Sequence, residues 1–122
     1  MCMKQCKYMG FAKKNIVCWK VVQPKSKTYV VSVYRQMPLK VNKVINALGS
    51  TLLLKDADFI HSGAFHSFKR KCDAKMTVQW QGAKGSEVVV RCLIPKGTPY
   101  WKGTFGIFAR DNYCSTQIII VR

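Results

Sequence analysis

Acidic residues are scarce in this chain of 122 residues. It contains 5 Asp and Glu against 21 Lys and Arg, and Glu87 is its one glutamate. Catalysis by paired carboxylates requires two of them close together in a pocket. The nearest pair, Asp56 and Asp58, flanks a predicted loop and lacks the signature of a pocket. The sequence therefore predicts a protein that is not an enzyme.

Metal-ligating residues are equally few, and their spacing is unsuitable. His61 and His66 are the 2 histidines, and the distance from them to Cys72 matches no standard zinc spacing. The spacing of Cys2 and Cys6, four apart, would suit half of a metal site, but the sequence offers no second half. A nucleophile–base pair of Cys72 and His66 has no supporting motif. We predict no metal and no cofactor.

Apolar runs of membrane-spanning length are also missing. The first residues, Met-Cys-Met-Lys-Gln-Cys-Lys, lack the apolar segment of a signal peptide. Of the 6 cysteines, Cys18, Cys92 and Cys114 lie in or beside apolar runs, where a free thiol packs as a small hydrophobic group. We expect reduced cysteines, a cytoplasmic location and no membrane partner.

The clearest structural signal is the stretch 87–94 (EVVVRCLI), which is rich in β-branched and apolar residues. It predicts a strand covered on both faces. Pro95 removes a backbone donor and Gly97 can adopt a positive φ, so a defined turn should end this strand. A chain of this length can form one core without disulfide bonds.

The patterns before this strand predict a hairpin and a short helix. Residues 16–22 and 28–35 predict two antiparallel strands joined by a turn at Pro24. In 41–48 the apolar residues recur at i, i+3, i+4 and i+7, which predicts a helix. An extended alternative stays open there, because Val and Asn are indifferent helix formers.

The other segments complete a small α+β domain. They are a loop over 56–68, a second helix over 68–80, an irregular segment over 104–112 and a strand over 117–121 that can pair beside 87–94. We expect one α+β domain, 16–122, with a mostly antiparallel sheet and one or two short helices. A basic lead-in, 1–15, precedes it.

Charge is the abnormal feature of the composition. A formal net charge of +16 leaves most lysines without an acidic neighbour, and an anionic partner would explain why the self-repulsion is tolerated. Lysines beside aromatic rings favour nucleic acid, because bases stack on the rings while the cations bind phosphates. For Tyr100 and Trp101, packing in the core is the alternative. The predicted nucleic-acid-binding residues are Lys13, Lys14, Lys25, Lys27, Arg35, Lys40, Lys43, Lys69, Arg70, Lys71, Lys96, Tyr100, Trp101 and Lys102.

Four segments, taken in order, resemble small accessory proteins of bacteriophages and mobile elements. They are 31–35 (VSVYR), 62–68 (SGAFHSF) followed by 73–74 (DA), 88–98 (VVVRCLIPKGT) and 115–120 (STQIII). The resemblance implies a role against host defence in a bacterial cell, as in anti-CRISPR proteins. Together with the charge, it implies that the partner is RNA or a host RNA–protein complex. A CRISPR effector carrying its guide RNA is the preferred target.

Two other functions stay open. One is a protein that sequesters a small anionic nucleotide signal, for which a few cations should converge on one cavity. The other rests on a fainter resemblance to ADP-ribosyltransferases, carried by 34–35 (YR), Gly63, 65–66 (FH) and Glu87. That resemblance implies an enzyme in which Glu87 lies near the nicotinamide ribose.

Overall fold

The computed structural model describes residues 3–32, 38–46, 57–60, 65–80, 87–105 and 109–121. Within these ranges it contains eleven strands and one helix. In chain order they are β1 (Met3–Phe11), β2 (Ile16–Pro24), β3 (Tyr29–Ser32), β4 (Pro38–Lys40), β5 (Val44–Asn46), β6 (Ala57–Ile60), β7 (Phe65–Ser67), α1 (Lys71–Trp80), β8 (Val88–Ile94), β9 (Pro99–Phe105), β10 (Ala109–Ser115) and β11 (Gln117–Val121). Among these residues, no helix has the length and apolar character needed to cross a membrane.

The predicted α+β class is wrong, because the protein is mostly β and its strands form a nearly closed, barrel-like sheet. Two antiparallel sheets build it, with the orders β6-β1-β9-β10-β7 and β4-β3-β2-β8-β11-β5. A bridge joins them: Trp19 N–H donates to Phe68 O at 2.9 Å, and Phe68 N–H donates to Trp19 O at 2.7 Å. The sequence pattern missed this class because β4 to β7 contain only three or four residues each, too few to show a period of two.

One continuous segment, 38–46, closes the second sheet on itself. Its first part, β4, pairs with β3, and its last part, β5, pairs with β11. Between the two, Asn42 adopts a φ of 59° and donates its N–H to Ile120 O at 2.7 Å. The helix predicted over 41–48 is wrong where the structure describes it, and the extended alternative is confirmed for β5.

The other predicted elements have mixed outcomes. The hairpin of β2 and β3 is confirmed, as is β8 with β11 paired beside it. The second helix is confirmed as α1, which begins at Lys71. The predicted loop over 56–68 instead contains β6 and β7, and part of the irregular segment 104–112 belongs to β10. Residues 3–11, set apart as a lead-in, form β1 between β6 and β9.

Alternate side chains of the second sheet fill the inside of the barrel-like sheet. The inward residues of β2, β8 and β11 that are 0% exposed are Cys18, Val22, Cys92, Ile94, Ile118 and Ile120. Phe65 and Tyr113 of the first sheet pack against the same cluster. Burying this apolar surface stabilises the fold at roughly 25 cal/mol per Å². The core thus provides a rigid frame for the turns that connect its strands.

Helix α1 covers the outside of β2 and β8. Its Ala74 is buried in a second cluster, with Trp101 and Phe68, and Trp19 of β2 packs against them. In the first turn of the helix, Asp73 lies where a negative charge favours the helix dipole. The helix therefore seals the apolar outer face of the strands and presents its own outer face to solvent.

Candidate nucleic-acid interface

Two turns lie side by side at one end of the molecule. One, 12–15, links β1 to β2, and the other, 95–98, links β8 to β9. The hydrogen bonds that join them run from Gly97 N–H to Ala12 O (2.7 Å), from Ala12 N–H to Thr98 O (2.9 Å) and from Lys96 N–H to Asn15 Oδ1 (2.8 Å). Because two of these bonds connect backbone to backbone, the relative position of the turns is set by the fold.

The turn after β8 is tight and well defined. Thr98 N–H donates to Pro95 O at 3.1 Å, and Gly97 adopts a φ of 88°. This is the pattern of a type II turn, whose third position requires the positive φ that glycine adopts without strain. Lys96 occupies the second position and is exposed at the tip. The turn predicted from Pro95 and Gly97 is confirmed.

These turns bring three lysines close to an aromatic ring. Lys13, Lys14 and Lys96 are exposed, and Phe11, immediately before the first turn, is 63% exposed and pairs with Pro99. Neither turn contains an acidic residue. We call Phe11, Lys13, Lys14 and Lys96 the end-turn cluster. Its chemistry suits a strand of nucleic acid, since cations contact phosphates and an exposed ring can stack on a base.

A second basic group lies at the other end of β2. Lys25 and Lys27 are exposed in the turn between β2 and β3, and Lys40 and Lys43 are exposed near it on the closing segment. Tyr29, 38% exposed, is the cross-strand partner of Lys40. We call the four lysines the far-end group. With nine residues in β2, roughly 27 Å separate the turn that carries Lys25 and Lys27 from the end-turn cluster.

The predicted group at the start of α1 is partly engaged within the protein. Arg70 Nε donates to Asp73 Oδ2 at 3.0 Å, and Lys71 Nζ lies 5.1 Å from the centroid of the Trp19 ring. Lys69 is exposed, and its N–H donates to the buried Asn112 Oδ1 at 3.0 Å. A phosphate would therefore compete with the ion pair of Arg70, whereas Lys71 has no carboxylate partner among the described residues.

Trp101 cannot stack on a base, because it is 0% exposed and its ring centroid lies 5.2 Å from that of Tyr8. β9 lies between β1 and β10, and this side chain points into the cluster beneath α1. Tyr100 is half-buried, with its ring 6.0 Å from that of Tyr113. Lys102 is half-buried opposite Lys7 of β1. The predicted aromatic pair therefore belongs largely to the core, which was the alternative.

Phe11 was missed as a candidate, although the sequence contained a signal. It precedes Lys13 and Lys14, as Trp101 precedes Lys102. Nothing in the residues themselves says which of the two rings points outward. Arg35 lies outside the described residues.

The candidate catalytic and metal-ligating residues do not assemble into a site in the described part of the chain. His66 is half-buried on β7, its carbonyl accepts a hydrogen bond from Lys20 Nζ at 2.8 Å, and its cross-strand partner is Cys114. Cys72 is exposed on α1. No group of three His, Cys, Asp or Glu among the described residues could hold a metal ion. His61, Asp56 and Cys2 lie outside these residues.

Cys18 and Cys92 face each other across β2 and β8, and both are fully buried. A hydrogen bond from Cys92 lowers the pKa of the Cys18 thiol, although burial opposes this effect. The same bond, together with burial, raises the pKa of the Cys92 thiol. The contact between the two thiols therefore shifts their pKa values in opposite directions.

Accessibility should decide cysteine labelling in the native protein, because a thiol reagent must reach the sulfur atom. Cys72 should be modified at least about 100-fold faster than Cys18, Cys92 or Cys114, since the buried thiols react only after local opening. Timed alkylation followed by mass spectrometry of the peptides measures the rates. Rapid labelling of Cys18 in the folded protein would show that its thiol is not buried, and labelling in denaturant is the control.

Comparison of the chain with protein-family models, with curated proteins and with solved structures finds no match.

Proposed function

We propose that this protein is a non-enzymatic RNA-binding protein that holds single-stranded RNA at the end-turn cluster. The proposal rests on one observation. Two hydrogen-bonded turns place Lys13, Lys14 and Lys96 at the same end of the molecule as the exposed ring of Phe11. The lysines would bind successive phosphates, and Phe11 would stack on an unpaired base.

The charge of the whole chain supports this proposal. A net charge of +16 attracts a polyanion over a long range and accelerates its association. Binding to phosphates releases condensed counterions, so the affinity should depend steeply on salt. Neither turn presents an array of side chains for reading base edges, so we expect weak sequence preference.

The test is fluorescence anisotropy with a short labelled oligouridine at salt concentrations between about 50 and 200 mM. Each phosphate contact on a single strand adds about −0.7 to the slope of log affinity against log salt, so three contacts predict a slope of about −2 or steeper. Absence of binding at the low-salt end would refute the proposal. So would an affinity that does not change with salt.

The identity of the RNA is a narrower proposal. The resemblance to phage accessory proteins suggests a guide RNA inside a host defence complex, and this stays a prediction. Cleavage by an RNA-guided nuclease, measured with and without the protein, tests it. Inhibition of cleavage should be lost when the lysines of the end-turn cluster are replaced. If the protein leaves the cleavage rate unchanged for every effector type, the proposed defence target is wrong, and the proposal of RNA binding is not affected.

A further inference from the structure

A groove of 370 Å³ lies between one side of α1 and the start of β8. Lys71, Lys75 and Val78 line it from the helix, and 87–89 line it from the strand side. Its volume falls at the lower end of the range typical of sites for small organic ligands. The groove is separate from the end-turn cluster, and the proposed RNA contact does not use it.

The helix supplies two cations to this groove. Lys71 and Lys75 are four residues apart and therefore lie on the same face of α1. The nearby Asp73 is bonded to Arg70, and within the described residues neither lysine forms an ion pair. The ammonium of Lys71 is held 5.1 Å from the centroid of the Trp19 ring, which limits its freedom. The two lysines thus provide a site for an anionic group.

The strand supplies an acceptor that lacks a donor. The Oε2 atom of Glu87 is buried and has no hydrogen-bond partner in the described part of the chain. An unsatisfied buried acceptor costs about 1–3 kcal/mol, and more when it is charged. Because the Glu87 side chain also lines the groove, a rotation that turns this oxygen toward a ligand N–H or O–H group would remove this cost. Val78, Val88 and Val89 add apolar surface to the lining of the same groove.

We propose that this groove binds a nucleoside monophosphate unit. The phosphate contacts Lys71 and Lys75, a ribose hydroxyl or base N–H donates to Glu87, and the valines pack against the ring system. An inorganic anion would leave Glu87 unsatisfied, and an uncharged nucleoside would leave the lysines without an anion. A free nucleotide and the phosphorylated end of an RNA strand share this chemistry.

Calorimetric titration of the protein with AMP, adenosine and inorganic phosphate tests the proposal. We expect AMP to bind with a Kd of about 1 mM or tighter and each fragment to bind more weakly. Lys75→Ala should weaken AMP at least about tenfold, whereas Lys40→Ala, which removes the same charge elsewhere, should not. Competition by a 5′-phosphorylated RNA trimer, but not by its 5′-hydroxyl form, would identify a strand end as the natural source; no competition would identify the free nucleotide.

A second variant separates this site from general attraction of anions. Glu87→Ala should weaken AMP but leave inorganic phosphate binding unchanged or stronger, because it removes the acceptor and a negative charge. Circular dichroism melting confirms that both variants fold. The proposal fails if AMP does not bind, or if Lys75→Ala and Lys40→Ala reduce its affinity equally. These outcomes do not bear on RNA binding at the end-turn cluster, which is measured with oligouridine.

Discussion

Replacing Lys13, Lys14 and Lys96 together with alanine should weaken oligouridine binding by at least about tenfold at low salt. The three side chains are exposed, so their loss removes phosphate contacts without opening the core. The slope of log affinity against log salt should become shallower by about 2, since each lost contact accounts for about 0.7. Anisotropy titrations at several salt concentrations measure both quantities.

The far-end group offers a matched control for this variant. Alanine at Lys25, Lys27 and Lys40 lowers the net charge by the same three units, and Lys25 and Lys27 lie about 27 Å from the end-turn cluster. If the end-turn cluster is the site, this second variant should keep most of the affinity and of the slope. Equal losses in the two variants would mean that RNA responds to total charge, and the proposed site would be wrong.

Trp101→Ala should destabilise the protein by about 3–5 kcal/mol, the range measured for truncating large buried aromatic residues. Trp101 is 0% exposed and contributes to the cluster that holds α1 against the strands. With a typical domain stability of about 5–15 kcal/mol, this loss should lower the denaturation midpoint severely. Urea unfolding followed by circular dichroism measures it. A change below about 1 kcal/mol would contradict the packing described here.

Phe11→Ala is the counterpart on the surface. Because the ring is 63% exposed, its removal should change the free energy of unfolding by no more than about 0.5 kcal/mol. The same change should cost about 1–3 kcal/mol in RNA affinity, the usual value of one stacked base. The two variants should therefore change different properties. Trp101→Ala lowers the free energy of unfolding, and Phe11→Ala lowers the affinity for RNA.

The sequence predicted strands well where they are long and partly buried. β2, β8 and β11 contain runs of β-branched residues, and the turn at Gly97 follows from its chemistry. The prediction failed over 41–48, where helical spacing of apolar residues was coincidental. There, hydrogen bonding to β3 and β11 determines the conformation, and both partners are remote in the sequence.

The arrangement of the end-turn cluster could likewise not be predicted from sequence neighbours alone. Lys13, Lys14 and Lys96 were predicted to bind nucleic acid, but no local pattern places residue 96 beside residues 13 and 14. That proximity depends on the hydrogen bonds between the two turns, from Gly97 to Ala12, from Ala12 to Thr98 and from Lys96 to Asn15. The exposed ring was assigned to Trp101 when it belongs to Phe11, because exposure depends on which neighbouring strands flank β1 and β9.

The closing segment 38–46 has a consequence for biosynthesis. It must pair with β3, made shortly before it, and also with β11, which the ribosome makes much later. At about 5–20 residues per second, the emerging chain waits on the order of 4–16 seconds for that second partner. During this interval β5 remains an unsatisfied edge, a state in which nascent chains are vulnerable to aggregation and depend on chaperones.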